Sequence, residues 1–178
     1  MDRLHKAPLF PLPLLLLPGE SLQLHVFEER YKSLVNQALS QNTGFGIPCR
    51  SLLNIANLGS WVVIKQVLKR YDTGELDVEV RCDGLFVLKN FYYPNEDVQF
   101  PGGKILFYEP EWLKLEEGSP LDELLESALI AQLDLKEKFK LLRLKDSVSR
   151  RKFLDNRSKL IEMLRKQEDA VYENLYLN

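Results

Sequence analysis

Residues 21–39 read SLQLHVFEERYKSLVNQAL, and within that stretch the spacing of the apolar positions changes. From Ser21 to Val26 it is two: Leu22, Leu24 and Val26 share one face, and Ser21, Gln23 and His25 the other. Successive side chains of a strand point to opposite faces, so this is a half-buried strand with His25 on its exposed side. From Phe27 the spacing becomes helical. Phe27, Tyr31, Leu34, Val35, Ala38 and Leu39 fall on one face of a helix, the stripe a core-facing helix needs. Glu28 and Glu29 suit its positive end, Glu28 pairs with Lys32 one turn on, and Asn42-Thr43-Gly44 stops it. This switch predicts a helix set into a β structure, with Phe27 and Tyr31 plugging the interior, each worth about 2–3 kcal/mol by burial. Glu28 and Arg30 are expected to tie the helix entry to neighbouring loops.

Short strands extend outward from this stretch. Ala7–Phe10 is apolar and closed by Pro11 and Pro13, and Leu14–Leu17 is closed by the turn pair Pro18-Gly19. Phe45–Arg50 is a strand interrupted by Pro48, which puts it at an edge or bulge. Trp61–Val67 is β-branched, Asp72-Thr73-Gly74 reads as a hairpin turn, and Leu76, Val78 and Val80 alternate after it. Asp83-Gly84 is a second turn or a bulge before Leu85–Leu88, and Ile105–Tyr108 is the last strand, ended by Pro110. Short strands at regular spacing suggest a small barrel or two packed sheets.

After residue 117 the pattern is helical. Ser119-Pro120-Leu121-Asp122 is a helix-start signature, followed by an apolar stripe through Leu124, Leu125, Ala128 and Leu129. Asp134 caps a shorter helix with Phe139, Leu141, Leu142 and Leu144. Ser147 caps a third, with Phe153, Leu154, Leu160, Ile161, Leu164 and Val171 along one side. Three such helices make a bundle or half of one. The expected organisation is α+β, a β-barrel with one inserted helix over residues 1–117 and a helical subdomain over 118–178.

The chain has 178 residues, 45% of them hydrophobic and 28% charged, which excludes a disordered chain and allows an ordinary core. Apolar runs such as Leu14–Leu17 fall far short of the about 20 residues of a membrane span. No signal-peptide pattern opens the chain, which reads as cytoplasmic. Net charge is −2 overall, but residues 1–135 carry −7 and residues 136–169 carry +6. Two cysteines, Cys49 and Cys82, and two histidines leave no motif for a metal site, and Cys49 reads as a buried thiol. No phosphate loop, G-x-S-x-G elbow, H-E-x-x-H pair or C-x-x-C motif occurs. The paired carboxylates Glu28/Glu29, Glu96/Asp97 and Glu116/Glu117 have no sign of the dry setting that raises an acid's pKa. No catalytic residue, metal or cofactor is expected.

One set of motifs goes further. Pro8-Leu9-Phe10-Pro11-Leu12, Pro18-Gly19-Glu20, Leu22 and Leu24, then Val26-Phe27-Glu28-Glu29-Arg30-Tyr31 and Gly44-Phe45-Gly46 follow one another over about 40 residues. In that order they resemble the amino-terminal domain of the Lon protease family, also found alone in small bacterial proteins and in cereblon. Gly84 with the strand after it, and the region from Leu135 to Glu168, are similar more loosely. The resemblance implies a PUA-like β-barrel followed by a helical subdomain, and a role in recognising protein substrates. The ATPase and Ser–Lys peptidase domains of the full enzymes have no counterpart in these residues, so no proteolysis or ATP binding is expected.

The expected function is therefore a non-catalytic module that binds unfolded polypeptide or a partner protein in a groove between barrel and bundle. Exposed aromatics beside prolines are the candidate contacts: Tyr92 and Tyr93 before Pro94, Phe100 before Pro101, and Trp112 after Pro110. RNA is the alternative ligand, met by Arg150 and Arg151 in the basic helices.

Overall fold

A computed structural model of the protein describes residues 3–54, 56–95, 98–108 and 132–176. The chain divides into two compact units, Met1–Glu111 and Trp112–Asn178. The first holds β1 (His5–Pro8), β2 (Ser21–Val26), α1 (Glu29–Gln41), β3 (Phe45–Pro48), β4 (Leu58–Arg70), β5 (Leu76–Tyr92) and β6 (Gly102–Tyr108). The second holds α2 (Leu135–Arg143) and α3 (Ser147–Tyr176). The helix expected from Ser119 lies outside the described residues.

All strands of the first unit are antiparallel and belong to one six-stranded sheet, in the order β1-β6-β5-β4-β3, with β2 beside β5. The sheet closes on itself through the residues that follow β1. Leu9 and Leu12 bridge Gly46 and Cys49 in parallel, and Phe10 N–H donates to the Gly46 carbonyl at 2.8 Å. The prolines at 11 and 13 interrupt that run, so β1 ends at Pro8 and its continuation pairs only at single bridges. Leu14–Leu17 forms no strand, yet Leu15, Leu16 and Leu17 are buried. Its backbone is held by a side chain: Ser60 Oγ accepts from Leu16 N–H and donates to the Leu16 carbonyl, both at 2.8 Å.

β4 and β5 form the spine, joined by the turn at Asp72-Thr73-Gly74, where Gly74 takes φ +81°. The pair Asp83-Gly84 is a bulge: Trp61 faces Gly84 and Val62 faces Cys82, leaving Asp83 as the extra residue of an uninterrupted β5. Farther along, Lys65 and Leu68 are extra residues on β4.

α1 covers the sheet with Tyr31, Leu34, Val35 and Ala38 and ends where Asn42 adopts the left-handed conformation. Tyr31 is buried and stacks on Phe10 at 4.0 Å, and burial raises its phenol pKa. Phe27 does not plug the interior: it is 59% exposed. The helix begins at Glu29, so Phe27 still follows strand alternation and shares the outward face of His25, whose ring it stacks on at 5.8 Å. The expected ties from Glu28 and Arg30 to loops are instead a pair between the two, with Arg30 Nε donating to Glu28 at 2.9 Å.

In the second unit Asp134 caps α2 in a reciprocal box with Glu137. α3 begins at Ser147, one residue earlier than a cap there would require, and the Asp146 carboxylate before it accepts Ser149 N–H at 2.7 Å and is held below its usual pKa by that bond. Leu154 is buried, whereas Leu160, Met163 and Leu164 are exposed rather than packed on one bundle side.

Candidate functional site

The segment that leaves β5 and enters β6 builds the concave face of the first unit. Asn95 folds it into a turn, its side chain accepting Val98 N–H at 2.9 Å and its own N–H reaching the Val98 carbonyl at 3.0 Å. Ser33 on α1 donates to the Gln99 side chain at 3.1 Å, and Leu9 N–H donates to the Pro101 carbonyl at 2.8 Å. Phe100 packs on the core around α1. The turn is thus pinned at three points, and the aromatic residues before it stand out: Tyr92 is exposed and Tyr93 is 83% exposed.

Two concavities flank Tyr93, which lines both. The larger, about 890 Å³, lies among the β1–β6 ladder, Ser33 and Gln37 of α1, and Tyr92, Val98 and Phe100. The smaller, about 410 Å³, is walled by Arg30, Tyr31, Arg50, Phe91 and Pro94. Every described residue lining them belongs to the first unit. Tyr92 and Tyr93, one candidate segment in the sequence, therefore share the larger concavity with Phe100. Trp112 lies outside the described residues.

The charged residues among those described in the lining are basic. Lys6 and Lys104 line the larger concavity and Arg30 and Arg50 the smaller, with no carboxylate among the described lining residues. Lys6 and Lys104 are direct cross-strand partners in the β1–β6 register. Like charges placed so repel each other, and an anion set between them relieves it. Arg30 is paired with Glu28 and lies 4.7 Å from the Tyr31 ring centre. These cations were not singled out in the sequence: the signal is the register, which brings residues 6 and 104 together across most of the unit.

The basic helix behaves differently. Arg150 is only 4% exposed, and its guanidinium donates to the Leu144 carbonyl just past the end of α2. A helix end leaves carbonyls without partners, and Arg150 serves one of them rather than facing a phosphate. Arg151 is exposed on α3.

Among the described residues, candidate chemistry beyond these cations and rings lies at two thiols, of which Cys49 lines the smaller concavity, and at His25. Cys49 and Cys82 are free and buried; burial pushes both thiols up, Cys82 to about 12, the reverse of what a nucleophile needs. His25 lies on the open face of β2, with Nδ1 2.7 Å and Nε2 3.5 Å from the carboxylates of Asp77 and Glu75. Tyr71 donates to the other Asp77 oxygen at 2.8 Å, and the bonds from His25 and Tyr71 hold Asp77 below its usual pKa. This chain of groups lines neither concavity. Among the described residues no cluster of His, Cys, Asp and Glu is placed to hold a metal, and no helix is long and apolar enough to cross a membrane.

The sequence profile of the ATP-dependent protease La (LON) substrate-binding domain matches residues 6–166. The chain belongs to that family. Two solved structures share the fold of this LON-type chain. A Lon N-terminal domain protein from Xanthomonas campestris aligns with TM-score 0.58 at 24% identity, covering 80% of this chain and 92% of its own. The N-terminal domain of the Lon protease of the Mycobacterium avium complex aligns with TM-score 0.57 at 13% identity, covering 87% and 98%. No curated protein matches the chain. With the LON substrate-binding profile spanning residues 6–166, these 178 residues hold no ATPase or peptidase domain.

Proposed function

We propose that this LON substrate-binding domain is a non-catalytic recognition module that holds an extended polypeptide segment along the two concavities beside Tyr93. The observation that carries this is their lining: aromatic rings, two lysines in direct cross-strand register and two arginines. Tyr92, Tyr93 and Phe91 offer large rings to apolar side chains, and the lysine pair suits an acidic side chain of the same segment. The buried free thiols fit a reducing, cytoplasmic setting.

The test is fluorescence anisotropy with reduced, carboxymethylated lactalbumin, an acidic chain that stays unfolded. Binding should weaken about tenfold with Tyr93→Ala, an effect of about 1.4 kcal/mol. Lys6→Gln together with Lys104→Gln should weaken binding and flatten its salt dependence. Undiminished binding in both variants would remove the site from this face. RNA remains the second reading, since phosphates and bases also suit cations beside aromatics. A labelled oligoribonucleotide that binds the chain and is not displaced by the unfolded polypeptide would favour it.

A further inference from the structure

Where β4, β5 and β2 run past the closed part of the sheet, the outer sides of β4 and β2 have no strand partner among the described residues, and they are protected differently. Beyond Val62 the outer side of β4 has no strand partner among the described residues. That edge carries Lys65, Lys69 and Arg70 and is twice broken in register, at Lys65 and Leu68. Lysines and bulges are what keeps a strand edge from pairing with another chain. The outer side of β2 has neither. Its six residues, Ser21 to Val26, pair with β5 in unbroken register and include no Lys, Arg, Asp, Glu or Pro.

The hydrogen-bond phase shows which groups face out. Cys82 N–H donates to the Glu20 carbonyl at 2.8 Å, so Glu20 and then Leu22, Leu24 and Val26 turn their backbone groups toward β5. Ser21, Gln23 and His25 turn theirs away, and all three are exposed. The short His25–Asp77 side-chain contact, 2.7 Å, fits this phase, because side chains are closest at the non-hydrogen-bonded pairs.

We propose that β2 pairs with β2 of a second copy of this chain, antiparallel about a two-fold axis at Gln23. The sequence Ser21-Leu22-Gln23-Leu24-His25 is close to a palindrome about Gln23, so the edge is complementary to itself. Gln23 then meets Gln23 of the second copy, Ser21 meets His25, and Leu22 meets Leu24, with no like charges opposed. The outward N–H and C=O of all three exposed residues gain partners. Exposed Phe27, which has no place in its own core, comes opposite Gly19 of the second copy, where no side chain stands in the way of the ring.

Light scattering and sedimentation velocity on the full chain at about 100 μM should find a dimer. Gln23→Pro removes an outward N–H without costing a bond to β5, and should weaken the dimer about tenfold or more. Gln23→Lys leaves the backbone intact and lies beside Glu79 in its own sheet, yet opposes two ammonium groups at the axis. It should weaken the dimer several-fold, with the melting curve at low concentration unchanged. Mild oxidation should cross-link Gln23→Cys, whose Cα atoms would lie about 5.5 Å apart, and not Ser21→Cys. A chain that stays monomeric, its β2 edge bare or occupied by an unfolded polypeptide probe, overturns the proposal. So does a dimer indifferent to both Gln23 changes, or equal cross-linking at residues 21 and 23.

Discussion

Around α1, the first unit fills space with large side chains: Leu34 and Val35 of the helix meet Phe45, Val62, Val78 and Val80 of the sheet. At the second cluster, Ala7, Leu9, Phe86 and Ile105, the same end is reached by leaving side chains out. A Cβ added at Gly46 would come 2.7 Å from Leu9 and 2.9 Å from the Phe86 ring. One at Gly59 would collide with that ring and stand 2.8 Å from the Ile47 carbonyl, and one at Gly103 would meet Leu9 at 2.7 Å. Phe86 is fully buried where Gly59, its partner on β4, and Gly46 of β3 leave room for the ring. One cluster tolerates changes of size according to how its helix can shift. The other has a fixed space between paired backbones.

That contrast can be broken most severely at its centre. Phe86→Ala should cost about 3–5 kcal/mol in urea unfolding, since the glycines around it have nothing to collapse with. Leu34→Ala, in the cluster where α1 can settle, should cost about 2–3 kcal/mol. A larger loss at Leu34 than at Phe86 would reverse the ranking and end the distinction. Gly59→Ala should cost about 2 kcal/mol by overpacking. Combining it with Phe86→Leu should recover about 1 kcal/mol of the summed losses, because the added methyl then meets a shorter side chain. Strict additivity would show that the ring is not what the methyl strikes.

A smaller effect belongs to the helix-side cluster, which includes Cys82. Its thiol titrates at about 12 in the folded chain against an ordinary 9.0. Between those values the unfolded chain gives up a proton that the folded chain keeps. Stability from this group is therefore complete below about pH 9 and falls as pH rises toward 12. Urea midpoints measured from pH 8.5 upward should decline, and Cys82→Val should lessen that decline. Smallest of all, Phe27→Ala should change the stability of the monomer by less than about 0.5 kcal/mol, as an exposed position does.

How much of this was legible varies by element. Alternation through Ser21–Val26 and helical spacing from Tyr31 onward gave the strand, the helix and its buried face, because each burial face leaves its own period. Phe27 was misjudged by extending the helix backwards: with Leu22, Leu24 and Val26 inward, strand parity alone puts Phe27 outward. Arg150 was read as surface charge because composition counts a cation without saying where its donors go. The open carbonyl at Leu144, known only once α2 and α3 are in place, decided that. Lys6 and Lys104 were invisible as a pair, since nothing local links positions so far apart.

Sequence by itself determined the motifs that mark the family, the switch from strand to helix after Val26, and the aromatic segment at Tyr92-Tyr93, because motifs, periodicity and turn residues act over a few positions. Tertiary structure alone decided which residues meet: the Lys6–Lys104 register, the glycine space around Phe86 and the bare edge of β2. These depend on how strands distant in the chain align, and strand alignment is settled by the burial of whole faces together.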